Sequence, residues 1–248
     1  WQRYLEHVLP YQTVIKEGDA NYEADDCHPF SIPDVRRLVN DLFIEGHLQP
    51  VSGFNIEQLP AWTHAGVVDD PVRDQQERLH KIISWLDDHV SRNQHYQDWL
   101  KTARLFGEMK YLYESMRDGL HENTIHTVEE LEHTLDGTFT EWMLKSYQGL
   151  SSLPHLPAPV MVHHIPHYLA TSDFSKVALI VLDGMSVVQW AHIKHILTTE
   201  FQLAENGVFA WVPTLTSVSR QALFSGKILL YVADSLWTTS KETQHWTW

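Results

Sequence analysis

The chain has 248 residues, 43% of them hydrophobic, a single cysteine (Cys27) and a formal net charge of -14 at pH 7. That is room for one large domain or two modest ones around an ordinary core. It excludes an internal disulfide, and it argues against a general nucleic-acid binder, which needs a basic surface to meet phosphates.

Ten tryptophans predict buried aromatic anchors. No apolar run approaches the ~18 residues of a membrane-spanning helix and no signal peptide is visible, so a cytoplasmic protein without membrane contact is expected. The chain opens on Trp1 rather than Met and closes on Trp248, and it reads as a piece of something longer.

Charge divides the sequence. Residues 1–150 hold 26 of the 32 acidic side chains and 13 of the 18 basic ones, and the remainder is nearly neutral. This first half reads as helices. After Pro33 a helix is expected over 34–43, followed by an irregular stretch over 46–64 containing Pro50, Gly53 and Pro60. Asp70-Pro71 is a helix start, with a capping carboxylate and proline at the first helical position. Leu79, Ile82, Ile83, Leu86 and Val90 then recur on one helical face. A second helix is expected from about Tyr96 to Met116, on Trp99, Leu100, Ala103, Phe106, Met109 and Leu112. Thr127 and Glu130 have capping-box spacing, so a third helix is expected to begin there, with a further one after Gly137 carrying Phe139, Trp142, Met143 and Tyr147. Residues 151–170, with Pro154, Pro157, Pro159 and Pro166, read as a linker running along the surface.

Residues 171–248 change texture. Val177–Leu182 is a run of six apolar residues, as in a parallel strand covered on both faces. Gly184 permits a turn, and a helix follows from about Val187. A second strand is expected over 207–212, a helix from about Thr216, and a third strand over 228–233. Strand-helix alternation of this kind is doubly wound and binds ligands at the carboxyl ends of its strands. The fold class expected is therefore α + α/β: a helical region over 1–150, the linker 151–170, and the beginning of a doubly wound domain over 171–248. The remaining strands are expected beyond Trp248.

Asp183 and Thr216 both fall at such strand ends. A carboxylate and a hydroxyl brought together can share a divalent metal, which suits phosphoryl or sulfuryl transfer through a covalent intermediate. Each has a plainer reading. Asp183-Gly184 is also a turn signal, and Thr216 is also a helix cap, with Thr214, Ser217 and Ser219 competing for the same role. Arg220, one helical turn beyond Thr216, has two readings, a partner for a bound phosphate or an ordinary surface side chain. The histidines at 163, 164 and 167 lack helical metal-site spacing and read as surface residues, and His192 and His195 as a solvated helix face. Asp234 is a further polar group expected at the sheet's edge. No glycine-rich phosphate loop, Gly-x-Ser-x-Gly elbow, His-Glu-x-x-His or paired Cys-x-x-Cys is present.

The segments Leu182-Asp183-Gly184-Met185-Ser186, Gln189-Trp190, Pro213-Thr214-Leu215-Thr216 and Leu223-Phe224-Ser225-Gly226 resemble the PglZ domain of the alkaline phosphatase superfamily, found in BREX-type phage-defence systems and in some signalling proteins. The resemblance is tight over about 170–245 and looser over 135–170, where Phe139-Thr-Glu-Trp142 and Tyr147-x-x-Leu150 take part. It implies a metal-dependent phosphatase, phosphodiesterase or nuclease with two divalent metal ions, zinc by the family's habit. Asp183 would ligate one metal, Thr216 would be the metal-bound nucleophile, and the backbone N–H of Ser217 would meet the phosphoryl group. The partners implied are other proteins of a defence complex and a phosphate-containing substrate. The family's other ligands lie well downstream of the nucleophile and are expected beyond residue 248, so this fragment is not expected to be active by itself. The alternative is a non-catalytic scaffold or partner-binding component. A sulfatase or phosphomutase of the same superfamily is a third reading, disfavoured for the sulfatase by the absence of a cysteine near residue 216.

Overall fold

The computed structural model describes residues 1–9, 28–68 and 71–235. Cys27 and the expected cap Asp70 lie outside the described residues, and so does the side chain of Asp234. The chain divides into two compact units, Trp1–Trp85 and Leu86–Trp248.

The first unit is built on an aromatic cluster. The Trp1 ring stacks on Tyr4 at 5.8 Å and meets Phe30 and Phe43 edge-on at 5.1 and 5.3 Å. Its indole N–H donates to the Gly66 carbonyl at 2.9 Å. Tyr4, Leu5, Leu9, Phe30, Val39, Phe43 and Val67 close this core. The helix expected over 34–43 is two short helices, α1 (Pro33–Arg37) and α2 (Val39–Ile44). Arg78 donates to the carbonyls of Phe43 and Ile44 at 2.7 and 2.8 Å, placing a cation where the α2 dipole is negative. The irregular stretch contains a strand, β1 (Val51–Ser52), paired in parallel with β2 (Val67–Val68), Val51 opposite Val67. This is the one sheet among the described residues.

Helix α3 (Pro71–Val90) starts at the proline, and all five residues of its expected face are buried. Helix α4 (Tyr96–Met116) matches its expected bounds. Asp98 accepts from the backbone N–H of His95 at 3.0 Å and closes its first turn. The next two expected helices are one, α5 (Glu122–Ser146), with His121 at the N-cap position but no side-chain cap. Thr127 lies inside it, and its hydroxyl donates to the Asn123 carbonyl at 2.9 Å instead of capping. Gly137 does not break this helix, and a β-carbon there would meet nothing within 4 Å. Gly137→Ala is therefore expected to stabilise the protein by about 0.5–1 kcal/mol, the helix-propensity difference, read as a higher urea midpoint.

Beyond α5 the helices α6 (Ile165–Thr171), α7 (Val187–Leu197) and α8 (Thr216–Ser225) follow. The described residues are mostly helical with one small parallel strand pair, consistent with α + α/β only coarsely: that pair lies in the stretch expected to be irregular, and the doubly wound sheet expected over 171–248 does not form among the described residues. Val177–Leu182 pairs with no strand and is exposed, Ile180 at 80%. Residues 229–235 are helical turns, not a third strand. Of the second, only Phe209 pairs, in a parallel bridge with Met161. A strand has no hydrogen bonds of its own, so an apolar run becomes one only where neighbours supply the ladder. The proline-rich stretch is not wholly superficial either, since Val160 and Met161 are buried beside that bridge.

Candidate functional site

The turn Asp183-Gly184 follows the apolar run, and Gly184 takes φ +69°, a left-handed conformation that glycine adopts without a β-carbon penalty. Two residues on, Ser186 caps α7. Its hydroxyl accepts from the Gln189 N–H at 3.2 Å, while the Gln189 side chain accepts from the Ser186 N–H at 2.8 Å. Helix α7 is held by Trp190, which donates to Glu205 at 2.6 Å, and by Lys194, 2.5 Å from the same carboxylate. It lies against α4, where Gly107 lets the Val187 carbonyl approach closely.

Helix α8 begins at Thr216, with Leu215 as the capping residue. Thr216 is the first helical residue, so the plain reading as side-chain cap does not hold. Val218, Gln221, Ala222 and Leu223 are buried. The helix ends at Gly226, whose φ is +63°, and the His167 ring Nε2–H donates to the Gly226 carbonyl at 2.6 Å.

This packing brings Asp183 and Thr216 together. The Thr216 hydroxyl faces Asp183 Oδ1 at 3.5 Å, the long limit of a hydrogen bond. Arg220 Nη1 stands 3.8 Å from the other carboxylate oxygen, Oδ2. Thr216 and Arg220 are four residues apart on one helix and so share a face. The Arg220 and Asp183 side chains are 36% and 41% exposed, which makes this a solvated ion pair of modest strength. Ser217 is the second residue of α8, and its backbone N–H belongs to the first turn, where amides lack an intrahelical acceptor.

Asp183 Oδ1 and Thr216 Oγ1 are hard oxygen donors of the kind a divalent cation takes. No group of three or more His, Cys, Asp or Glu side chains that could hold a metal occurs among the described residues. The pair fits one edge of a coordination shell.

Sequence reasoning missed two things nearby. His163 and His164 are 4% and 6% exposed rather than superficial, because the turn Val162–His164 packs under α8. Their rings lie 4.2 Å apart, and the Val160 and Met161 N–H groups both donate to His164 Nδ1 at 3.3 Å. Burial, with repulsion from His164 and His167, lowers the His163 pKa from 6.5 to about 4. Burial likewise lowers that of His164, followed by repulsion from His155 and His167, against a backbone hydrogen bond at Ser151. Nothing in the local sequence signals this, because three histidines beside a proline look the same on a surface or in a core. The second is Tyr147, whose hydroxyl donates to the Ala210 carbonyl at 2.6 Å and accepts from the Val212 N–H at 3.0 Å. His192 stacks edge-on against Tyr111 at 4.6 Å and lies 3.7 Å from Glu114.

The sign of the pH effect follows. The unfolded chain takes up a proton at His163 near pH 6.5 and the folded chain only near 4. Its contribution to stability is thus complete above about 6.5 and declines as pH falls towards 4. Urea unfolding is expected to weaken over that window by roughly 1 kcal/mol per pH unit. His163→Gln should flatten the slope, leaving the His164 part. A slope unchanged by the substitution would clear His163 of the effect.

No helix among the described residues is long and apolar enough to cross a membrane. No curated protein and no solved structure matches the chain. The segment carrying Asp183, Thr216, Ser217 and Arg220 does have a counterpart: residues 160–245 match the family model of the BREX system PglZ alkaline phosphatase-like domain, and it is to that domain that this part of the chain is similar.

Proposed function

We propose that this chain carries the nucleophile and a metal-ligating carboxylate of a PglZ-type phosphoryl-transfer site, in a metal-dependent phosphatase, phosphodiesterase or nuclease of a phage-defence complex. The observation behind this reading is the meeting of Asp183 and Thr216, thirty-three residues apart in sequence, within a segment similar to an alkaline phosphatase-like domain.

In this reading Asp183 holds the Thr216 hydroxyl in orientation. The hydroxyl oxygen forms a bond to phosphorus as the ester P–O bond on the opposite side breaks. The proton the hydroxyl gives up ends on the departing oxygen, and water then cleaves the phosphothreonine, one of its hydrogens restoring the hydroxyl and its oxygen leaving with the phosphate. The Ser217 N–H and the Arg220 guanidinium meet the phosphoryl oxygens, Arg220 through its forked donors. Divalent metal, zinc in the family's habit, would sit on Asp183 and Thr216 and supply positive charge that favours the alkoxide.

The test is to trap the intermediate. The full-length protein, turning over p-nitrophenyl phosphate with zinc or manganese, is quenched in acid and digested. Phosphate is expected on the peptide bearing Thr216. Turnover with the phosphoryl group on another side chain would overturn the assignment. One observation favours a second reading, a non-catalytic component that binds a partner protein: the run Val177–Leu182 leaves all six of its apolar side chains exposed beside the site. Absence of turnover under every metal would support it.

A further inference from the structure

The site's most constrained neighbour lies outside the segment that matches the PglZ domain. Tyr147 follows the last turn of α5, and its N–H still donates to the Met143 carbonyl. Its hydroxyl uses both capacities of a phenol at once, donating to Ala210 and accepting from Val212. Two backbone groups two residues apart are thereby tied to one oxygen. Burial raises its pKa, against the hydrogen bond from Val212, so the proton this clamp needs stays in place.

The same segment is held upstream. Phe209 N–H donates to Val160 at 2.8 Å, Val162 N–H donates to the Phe209 carbonyl at 3.0 Å, and the Phe209 ring lies 5.5 Å from Trp142 of α5. Downstream, Pro213 restricts φ, the Leu215 N–H closes onto the Pro213 carbonyl at 2.8 Å, and α8 begins at Thr216. From the clamped Val212 to Thr216 the backbone has little freedom left.

We infer that Tyr147 is a positioning residue for Thr216: by pinning Ala210 and Val212 it sets where α8 starts, and so how the Thr216 hydroxyl meets Asp183. The helical part of the chain is then a component of the site. This rests on the role proposed for Thr216. Because that hydroxyl stands at the far limit of hydrogen-bond distance from Asp183, small shifts of the α8 start matter. A 1 Å misplacement of a reacting group costs about a hundredfold in rate.

Tyr147→Phe removes one oxygen and little else. In the full-length protein, amide exchange over 209–215 is expected to rise about tenfold, the loss of one hydrogen bond's worth of protection, with exchange in α3 and α4 unchanged. With p-nitrophenyl phosphate and zinc or manganese, kcat is expected to fall roughly 10- to 100-fold with KM within about twofold. A merely structural role would instead lower the unfolding midpoint and raise exchange throughout. Unchanged exchange over 209–215 would overturn the inference, as would unchanged kcat where Thr216→Ala abolishes turnover. If turnover survives Thr216→Ala, the proposed function has failed, and the exchange arm still decides whether Tyr147 holds the segment.

Discussion

Thr216→Ala in the full-length protein is expected to lower hydrolysis of bis-p-nitrophenyl phosphate with zinc or manganese by at least about a thousandfold, the scale seen when a nucleophile is deleted. Thr216 is exposed at the first position of α8 and makes no side-chain cap, so its truncation opens no cavity. The folded state should survive, with the urea midpoint close to that of the parent. Thr216→Ser keeps the oxygen and should keep much of the rate. That contrast separates loss of a reacting atom from loss of structure. Asp183→Asn keeps the volume, removes the charge from both Thr216 and Arg220, and should lower the rate without restoring it at higher substrate. Undiminished turnover in Thr216→Ala would remove Thr216 as nucleophile whatever the Asp183 result.

Gly107→Ala is expected to destabilise the packing of α4 against α7. A β-carbon at 107 would lie 2.6 Å from the Val187 carbonyl oxygen and 3.0 Å from its carbon. The obstacle is backbone, which cannot rotate aside, so α4 and α7 must part. In mid-helix alanine would gain about 1 kcal/mol over glycine, whereas overpacking of this kind costs roughly 1–3 kcal/mol, and a backbone neighbour argues for the upper end. A net loss of stability is expected in urea unfolding, opposite in sign to Gly137→Ala, which makes the same chemical change in open space. Val187 is four residues past Asp183, so displacement of α7 should also lower turnover. If the two alanine variants unfolded alike, the close approach of α4 to Val187 would be refuted.

The helices were legible because their information is local. The face Leu79, Ile82, Ile83, Leu86 and Val90 is buried as its period implies, and α4 runs between its expected ends. Local signals also misled. Thr127 and Glu130 have the spacing of a capping box, but the same spacing occurs inside any helix, where a threonine hydroxyl returns to the preceding turn. Glycine at 137 looked like a stop, yet a 25-residue helix with a buried face tolerates its cost at an exposed position.

By itself the sequence determined the buried face of α3, the bounds of α4, that Gly184 turns the chain after Asp183, that a helix opens at Thr216, and which family the segment around them resembles. Only the tertiary structure decided that Asp183, Thr216 and Arg220 meet, that Tyr147 holds the segment leading into α8, that His163 and His164 are buried, and that Val177–Leu182 finds no strand to pair with. The reason is physical. A helix closes its hydrogen bonds within a few residues, so its pattern is written in adjacent positions. A strand, a buried histidine or a site drawn from distant residues depends on neighbours supplied from elsewhere in the chain.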